Sequence, residues 1–210
     1  MAILDGNTLW IKKARLGFPQ LIAPKSAVAG GEPKYSVNFI LNPTDVEMGE
    51  LNQIVTAMAT EKWGEGAAGI INLIKGDKRL RCFGKGEEKL DKKGQVYDGF
   101  AGMVYISASN KDQPNLYGAD ANLLPPTAPM NQMFAGGNYC SGVISFWLQD
   151  NSFGRGIRAN LDGVQYISEG EHFGSVGPDA GSIFQPVPGA PATTAPGAGD
   201  APAVPSIDFL

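Results

Sequence analysis

The sequence predicts a mainly β fold: a small closed or partly closed barrel of five or more strands with one or two helices, followed by a disordered C-terminal tail. Three observations point there. Strand-like segments recur from residue 7 to residue 167, one stretch alone has a clear helical period, and glycines fall where strands would have to bend sharply. Short strands of this kind close, wholly or in part, into a small barrel, with a β-sandwich as the alternative packing.

The first strand signals are NTLWIKKARL (7–16) and KYSVNFIL (34–41), the second with Tyr35, Val37 and Phe39 on one face. A helix follows. Thr44 with Glu47 three residues on reads as a capping box, and Val46, Leu51, Ile54, Val55 and Met58 recur at helical spacing to pack on a sheet. A short second helix is expected over 67–74. Residues 75–93 carry eight basic and four acidic side chains, and read as a strand around 80–83 followed by a Gly- and Lys-rich loop. Further strands are expected over 102–109, 138–149 and 156–167, with a long loop between the first two.

Charge is divided unevenly along the chain. All 17 Lys and Arg lie between Lys12 and Arg158; against 15 acidic residues up to that point they give +2, whereas residues 159–210 hold six acidic residues and no basic one. The net charge of -4 therefore hides a mildly basic body, and it is the local field that a phosphate chain experiences. From Pro178 to Leu210, Pro, Gly and Ala make up 18 of 33 residues, a composition that buries too little apolar surface to offset its ordering entropy. The expected organisation is a folded, mildly basic domain over 1–177 and a flexible acidic tail over 178–210. That tail ends on Ile207, Asp208, Phe209 and Leu210, apolar side chains beside two negative charges, which read as a partner-docking tip.

Several classes are disfavoured. No run reaches the length of a membrane span, and the first ten residues lack the pattern of a secretory signal, so the expected location is the cytoplasm. Cys82 and Cys140 have no metal-ligand spacing and read as reduced thiols, with a disulfide as the minor alternative. His172 has no nucleophile motif near it, and the phosphate-loop pattern is absent. Asp98, Asp112, Asp120 and Asp150 show no spacing that asks for two metal ions and read as turn residues. The expectation is a protein without enzymatic activity, metal or cofactor.

Aromatic side chains interleaved with cations are the stronger signal, because single-stranded nucleic acid is held by base stacking and by cations along its phosphates. Lys12, Lys13, Arg15, Lys34, Arg79, Arg81, Arg155 and Arg158 are the candidate phosphate contacts. Tyr35, Phe83, Tyr105 and Trp147 are the candidate stacking rings. Taken singly each ring reads as core before it reads as a stacking platform, since half of any strand faces inward.

Three segments, EPKYSVNFIL, YISASNKDQPNLYG and GGNYCSGVISFWLQDNSFGRGIRANLDGVQYISEGEHFG, resemble a phage family of single-stranded DNA-binding proteins, of the kind described for an Enterobacter phage. The resemblance covers residues 9 to 174. It implies an OB barrel and non-catalytic binding and protection of single-stranded DNA during replication, recombination and repair. It further implies an acidic tail that competes with DNA or docks a polymerase, primase, helicase or nuclease. Asp208 alone immediately precedes Phe209 and Leu210, where bacterial counterparts carry several acidic residues, which weakens any electrostatic competition by the tail. A metal-dependent nuclease and a virion decoration protein are the rival readings.

Overall fold

The computed structural model describes residues 1–26, 29–44 and 48–173. They belong to a compact unit spanning Met1–Gly174. The expected tail, with Ile207, Asp208, Phe209 and Leu210, lies outside the described residues.

Eight strands form one sheet: β1 (Ala2–Asp5), β2 (Thr8–Lys25), β3 (Lys34–Leu41), β4 (Phe83–Lys85), β5 (Val104–Asn110), β6 (Asn115–Tyr117), β7 (Tyr139–Asn151) and β8 (Gly154–Ser168). Their order is β4-β5-β3-β2-β7-β8-β6, with β1 paired to β2. All pairings are antiparallel except β6 with β8. The expected mainly β architecture is therefore present, as a coiled sheet whose hydrogen-bonded path is open. Its far ends approach through side chains: Asn110 Nδ2 donates to the Leu161 carbonyl at 3.2 Å, and Arg158 Nη1 to the Arg79 carbonyl at 3.0 Å.

Alternation sets the core. Leu9, Ile11, Ala14 and Leu16 on β2, Val37, Phe39 and Leu41 on β3, and Ile144, Phe146 and Leu148 on β7 all point to the same buried side. Each large apolar side chain so buried contributes on the order of 1.5–3 kcal/mol. Two helices, α1 (Met48–Trp63) and α2 (Ala67–Gly76), are joined by one 3-10 turn, and α1 buries Leu51, Ile54, Val55 and Ala59 against this core. The Lys62 ammonium fixes the end of α1 to the sheet by donating to the Leu148 carbonyl at 2.8 Å. A further one-turn helix, α3 (Met130–Met133), precedes β7.

At Gly142 the packing leaves no room for a side chain. A Cβ there would lie 2.3 Å from a ring carbon of Phe39, which is fully buried across the core.

Several local expectations change. Lys78–Leu80 is a 3-10 turn and the strand begins at Phe83, because the Asp77 carboxylate accepts from the Arg79 backbone N–H at 2.9 Å and closes a tight turn. Thr44 directs its N–H and hydroxyl to the Asn42 side chain, at 3.1 and 2.9 Å, while the Glu47 half of the expected capping box lies outside the described residues. Both cysteines are free and buried, and burial pushes each thiol up to about 12, so the alternative of a disulfide is not realised.

Candidate nucleic-acid interface

Long strands rarely run straight, and the register of β2 is interrupted more than once; its first two bulges build the site. Between Ile11 and Ala14 it has one residue more than β7, and between Gly17 and Gln20 one more than β3. The first bulge allows both Lys12 and Lys13 to be exposed on consecutive positions. The second holds Phe18 in the left-handed region at φ 48°, costly for a non-glycine residue, and turns its ring outward.

One outer face therefore collects Trp10, Lys12, Lys13, Arg15 and Phe18 from a single strand. Next to it β7 contributes Ser141, Val143, Ser145 and Trp147 by alternation, with Trp10 paired opposite Val143. Trp10 and Trp147 are 38% and 41% exposed, respectively, so both rings present a face to solvent. The Trp10 indole donates to Ser141 Oγ at 2.7 Å, and Ser141 donates in turn to the Ile11 carbonyl at 2.9 Å, which fixes the ring on the sheet. Cations flank the rings: Lys12 Nζ lies 5.8 Å from the Trp10 centroid and Lys13 Nζ 4.5 Å from that of Tyr139. From Trp10 to Phe18 the strand spans roughly 25–30 Å.

Phe18 does not stand alone. Its ring is stacked on Phe100 at 5.6 Å and 21°, and meets Tyr97 edge-on at 4.7 Å. Phe100 belongs to a second, smaller core of Ile40, Phe100 and Tyr105 on this side of the sheet.

The sequence-predicted residues divide accordingly. Lys12, Lys13 and Trp147 lie on the outer face. Arg15 lies there too, but its guanidinium donates to the Gly137 carbonyl at 3.0 Å and to the Glu171 carbonyl, and packs 4.2 Å from the Phe173 centroid. It ties down the segment after β8. Arg79, Arg81 and Arg158 cluster instead where the sheet ends approach. Arg79 is exposed and paired with Asp77, holding that carboxyl down at about 2. Arg81 is largely buried against Glu88 at 2.8 Å, and Arg158 is held by Gln149 and the Arg79 carbonyl. Arg155 pairs with Asp150 on the β7–β8 hairpin, whose tip exposes Phe153. Lys34 is exposed at the start of β3 opposite Lys25.

Three of the four expected stacking rings are placed elsewhere. Tyr35 shares the core-facing side of β3 with Val37 and Phe39; Phe83 packs against the main core; Tyr105 is only 5% exposed, enclosed with Phe100 and Ile40. Burial pushes the Tyr105 phenol up to about 12, with Glu88 adding to it. Tyr35 and Phe83 are half-buried, and Tyr105 is nearly enclosed.

The sequence profile described as Enterobacter phage Enc34, ssDNA-binding protein matches residues 7–190. The chain belongs to that family. A phage protein designated p50, from Acyrthosiphon pisum secondary endosymbiont phage 1, is 32% identical over 165 residues, covering 78% of this chain and 84% of the relative. The structure of the single-stranded DNA-binding protein from bacteriophage Enc34 in complex with ssDNA is similar at a TM-score of 0.65 and 23% identity, over 82% of this chain and 97% of that one. The single-stranded DNA-binding protein encoded by bacteriophage T7 is similar at a TM-score of 0.52 and 11% identity, over 78% and 93%. These structural likenesses establish a shared fold with phage single-stranded DNA-binding proteins. At such identities they transfer no individual contact, and the assignment of residues on this chain rests on its own geometry.

Proposed function

We propose that this protein binds and protects single-stranded DNA without catalysis, laying the strand along the outer face of β2 and β7. The observation that carries the reading is the concentration of exposed Trp10, Trp147 and Phe18 with Lys12 and Lys13 on one continuous face. Every base has a π-face, so stacking of this kind tolerates sequence, and the lysines neutralise the phosphates between stacked positions. Membership of a phage family of ssDNA-binding proteins supports the same reading.

The service is to phage DNA exposed in the host cytoplasm during replication, recombination and repair. The acidic tail, ending on Ile207, Asp208, Phe209 and Leu210, docks a polymerase, primase, helicase or nuclease, or competes with DNA for the basic face. A metal-dependent nuclease would need converging carboxylates, and among the described residues no three of His, Cys, Asp and Glu gather as a metal site.

Anisotropy of a labelled oligo-dT tests the reading. With about six phosphates neutralised, log affinity falls against log salt with a slope near -4. Replacement of Trp10 or Trp147 by Ala costs about 1–3 kcal/mol of binding. A slope near zero, or unchanged affinity in both variants, overturns it.

A further inference from the structure

From the cleft beside Phe18 and the carboxylate at its rim, we infer that the DNA-binding face reads one nucleobase, preferring a base with an exocyclic amine, such as cytosine, over thymine. The inference rests on the single-stranded DNA reading above and adds a selectivity that stacking alone does not supply.

A cleft of about 340 Å³ opens on the outer face where the second bulge of β2 meets the loop ahead of β5. That is the lower end of the roughly 300–1,000 Å³ range of small-molecule pockets, suited to a single base. Phe18, Tyr97, Phe100 and Phe173 supply aromatic walls, and Gly17 lets the loop close in, since a Cβ there would lie 2.7 Å from the Phe100 ring. The left-handed backbone at Phe18 holds the exposed ring over this opening, a strained conformation of the kind found at ligand sites.

The lining is mostly apolar, with the Tyr97 phenol and one charged side chain, Asp98. Among the described residues its carboxylate accepts no hydrogen bond and forms no ion pair. Asp98 occupies the turn that the Phe100 N–H closes on the Tyr97 carbonyl, but its carboxylate takes no part in that turn or in a salt bridge, and on a face that binds phosphates a lone carboxylate repels the ligand's backbone. Aimed at the edge of a base seated among the aromatic rings, it has a use: it accepts from the N4 amine of cytosine, whereas the O4 of thymine presents a second acceptor and is repelled.

Competition of oligo-dC against oligo-dT of equal length for the full chain, at one salt concentration, tests the inference alongside Asp98→Ala. Asp98 is exposed and unpaired, so the variant keeps the fold. The expected result is oligo-dC tighter by about three- to tenfold, the difference vanishing in the variant through a gain in oligo-dT affinity and a loss for oligo-dC. Equal affinities in the parent chain, or a preference that survives Asp98→Ala, overturn the inference and leave single-strand binding intact. Failure to bind either oligonucleotide overturns the single-strand reading and this one with it.

Discussion

Lys13 on β2 holds its ammonium 4.5 Å from the centroid of the Tyr139 ring on β7. The ring positions the charge without neutralising it, so Lys13 remains available to a phosphate. Replacing Lys12 and Lys13 together with Ala is expected to make the salt slope of oligo-dT binding shallower by about 1.4, near 0.7 for each phosphate no longer neutralised, equally for all sequences. Anisotropy titrations across salt read this directly, and an unchanged slope would remove the two lysines from the interface.

Arg81 and Glu88 form an ion pair with side chains only 14% and 24% exposed, and among the described residues the Arg81 Nε has no partner. Removing Glu88 leaves a charge largely cut off from water. Glu88→Ala is expected to cost about 2 kcal/mol in urea unfolding, below the ~3–5 kcal/mol of a fully buried pair because water reaches a quarter of the glutamate. The double change Arg81→Met with Glu88→Leu should recover most of that loss. If the single variant is as stable as the parent, the pair is a surface contact in solution.

Trp63 donates its indole N–H to Asp150 at 2.7 Å, tying the end of α1 to the β7–β8 hairpin. That bond, followed by the contact with Arg155, holds the Asp150 carboxyl below the ordinary carboxylate range. A depressed carboxylate stabilises the fold above its unfolded pKa, and the contribution fades as pH falls through the lowered folded value. Asp150→Ala should therefore lower Tm at pH 7, and the gap from the parent should narrow below about pH 4. A gap independent of pH down to pH 2 would exclude the tether as its source.

Gly142 faces Phe39 with no space for a methyl group. Gly142→Ala is expected to destabilise by about 1–3 kcal/mol through overpacking, and Phe39→Leu in the same chain should return part of it. Chemical denaturation of the two variants measures both, and additive losses would show that the residues do not compete for space.

The long alternating runs made β3, β7 and β8 legible from sequence, as the period in Leu51, Ile54 and Val55 did α1. The strands β1 and β6, four and three residues long, are too short to show a period. The site was legible in kind, aromatic beside cation, but less so in its members. Alternation assigns Tyr35 and Tyr105 to opposite faces of the sheet, yet both faces carry a core, so parity alone does not reveal which ring is free. Arg15 and Arg81 look like any other surface cation until their carbonyl and carboxylate partners are placed. Phe18 escaped because a bulge breaks the alternation that would announce it; the Gly17 and Pro19 flanking it were the available signal.

The position of β2 in the sheet also governs how the chain is completed during synthesis. It pairs with β7 from Thr8 opposite Ser145 to Arg15 opposite Tyr139, partners some 130 residues apart in sequence. At roughly 5–20 residues per second, a ribosome needs on the order of ten seconds to supply the missing edge. Through that interval a strand bearing Leu9, Ile11 and Leu16 waits half-paired, the state from which unwanted strand addition begins. Lys12 and Lys13, bulged out in its middle, are the kind of charged interruption that blocks such addition. The two lysines proposed as phosphate contacts are thus also placed to oppose unwanted strand addition to the nascent chain.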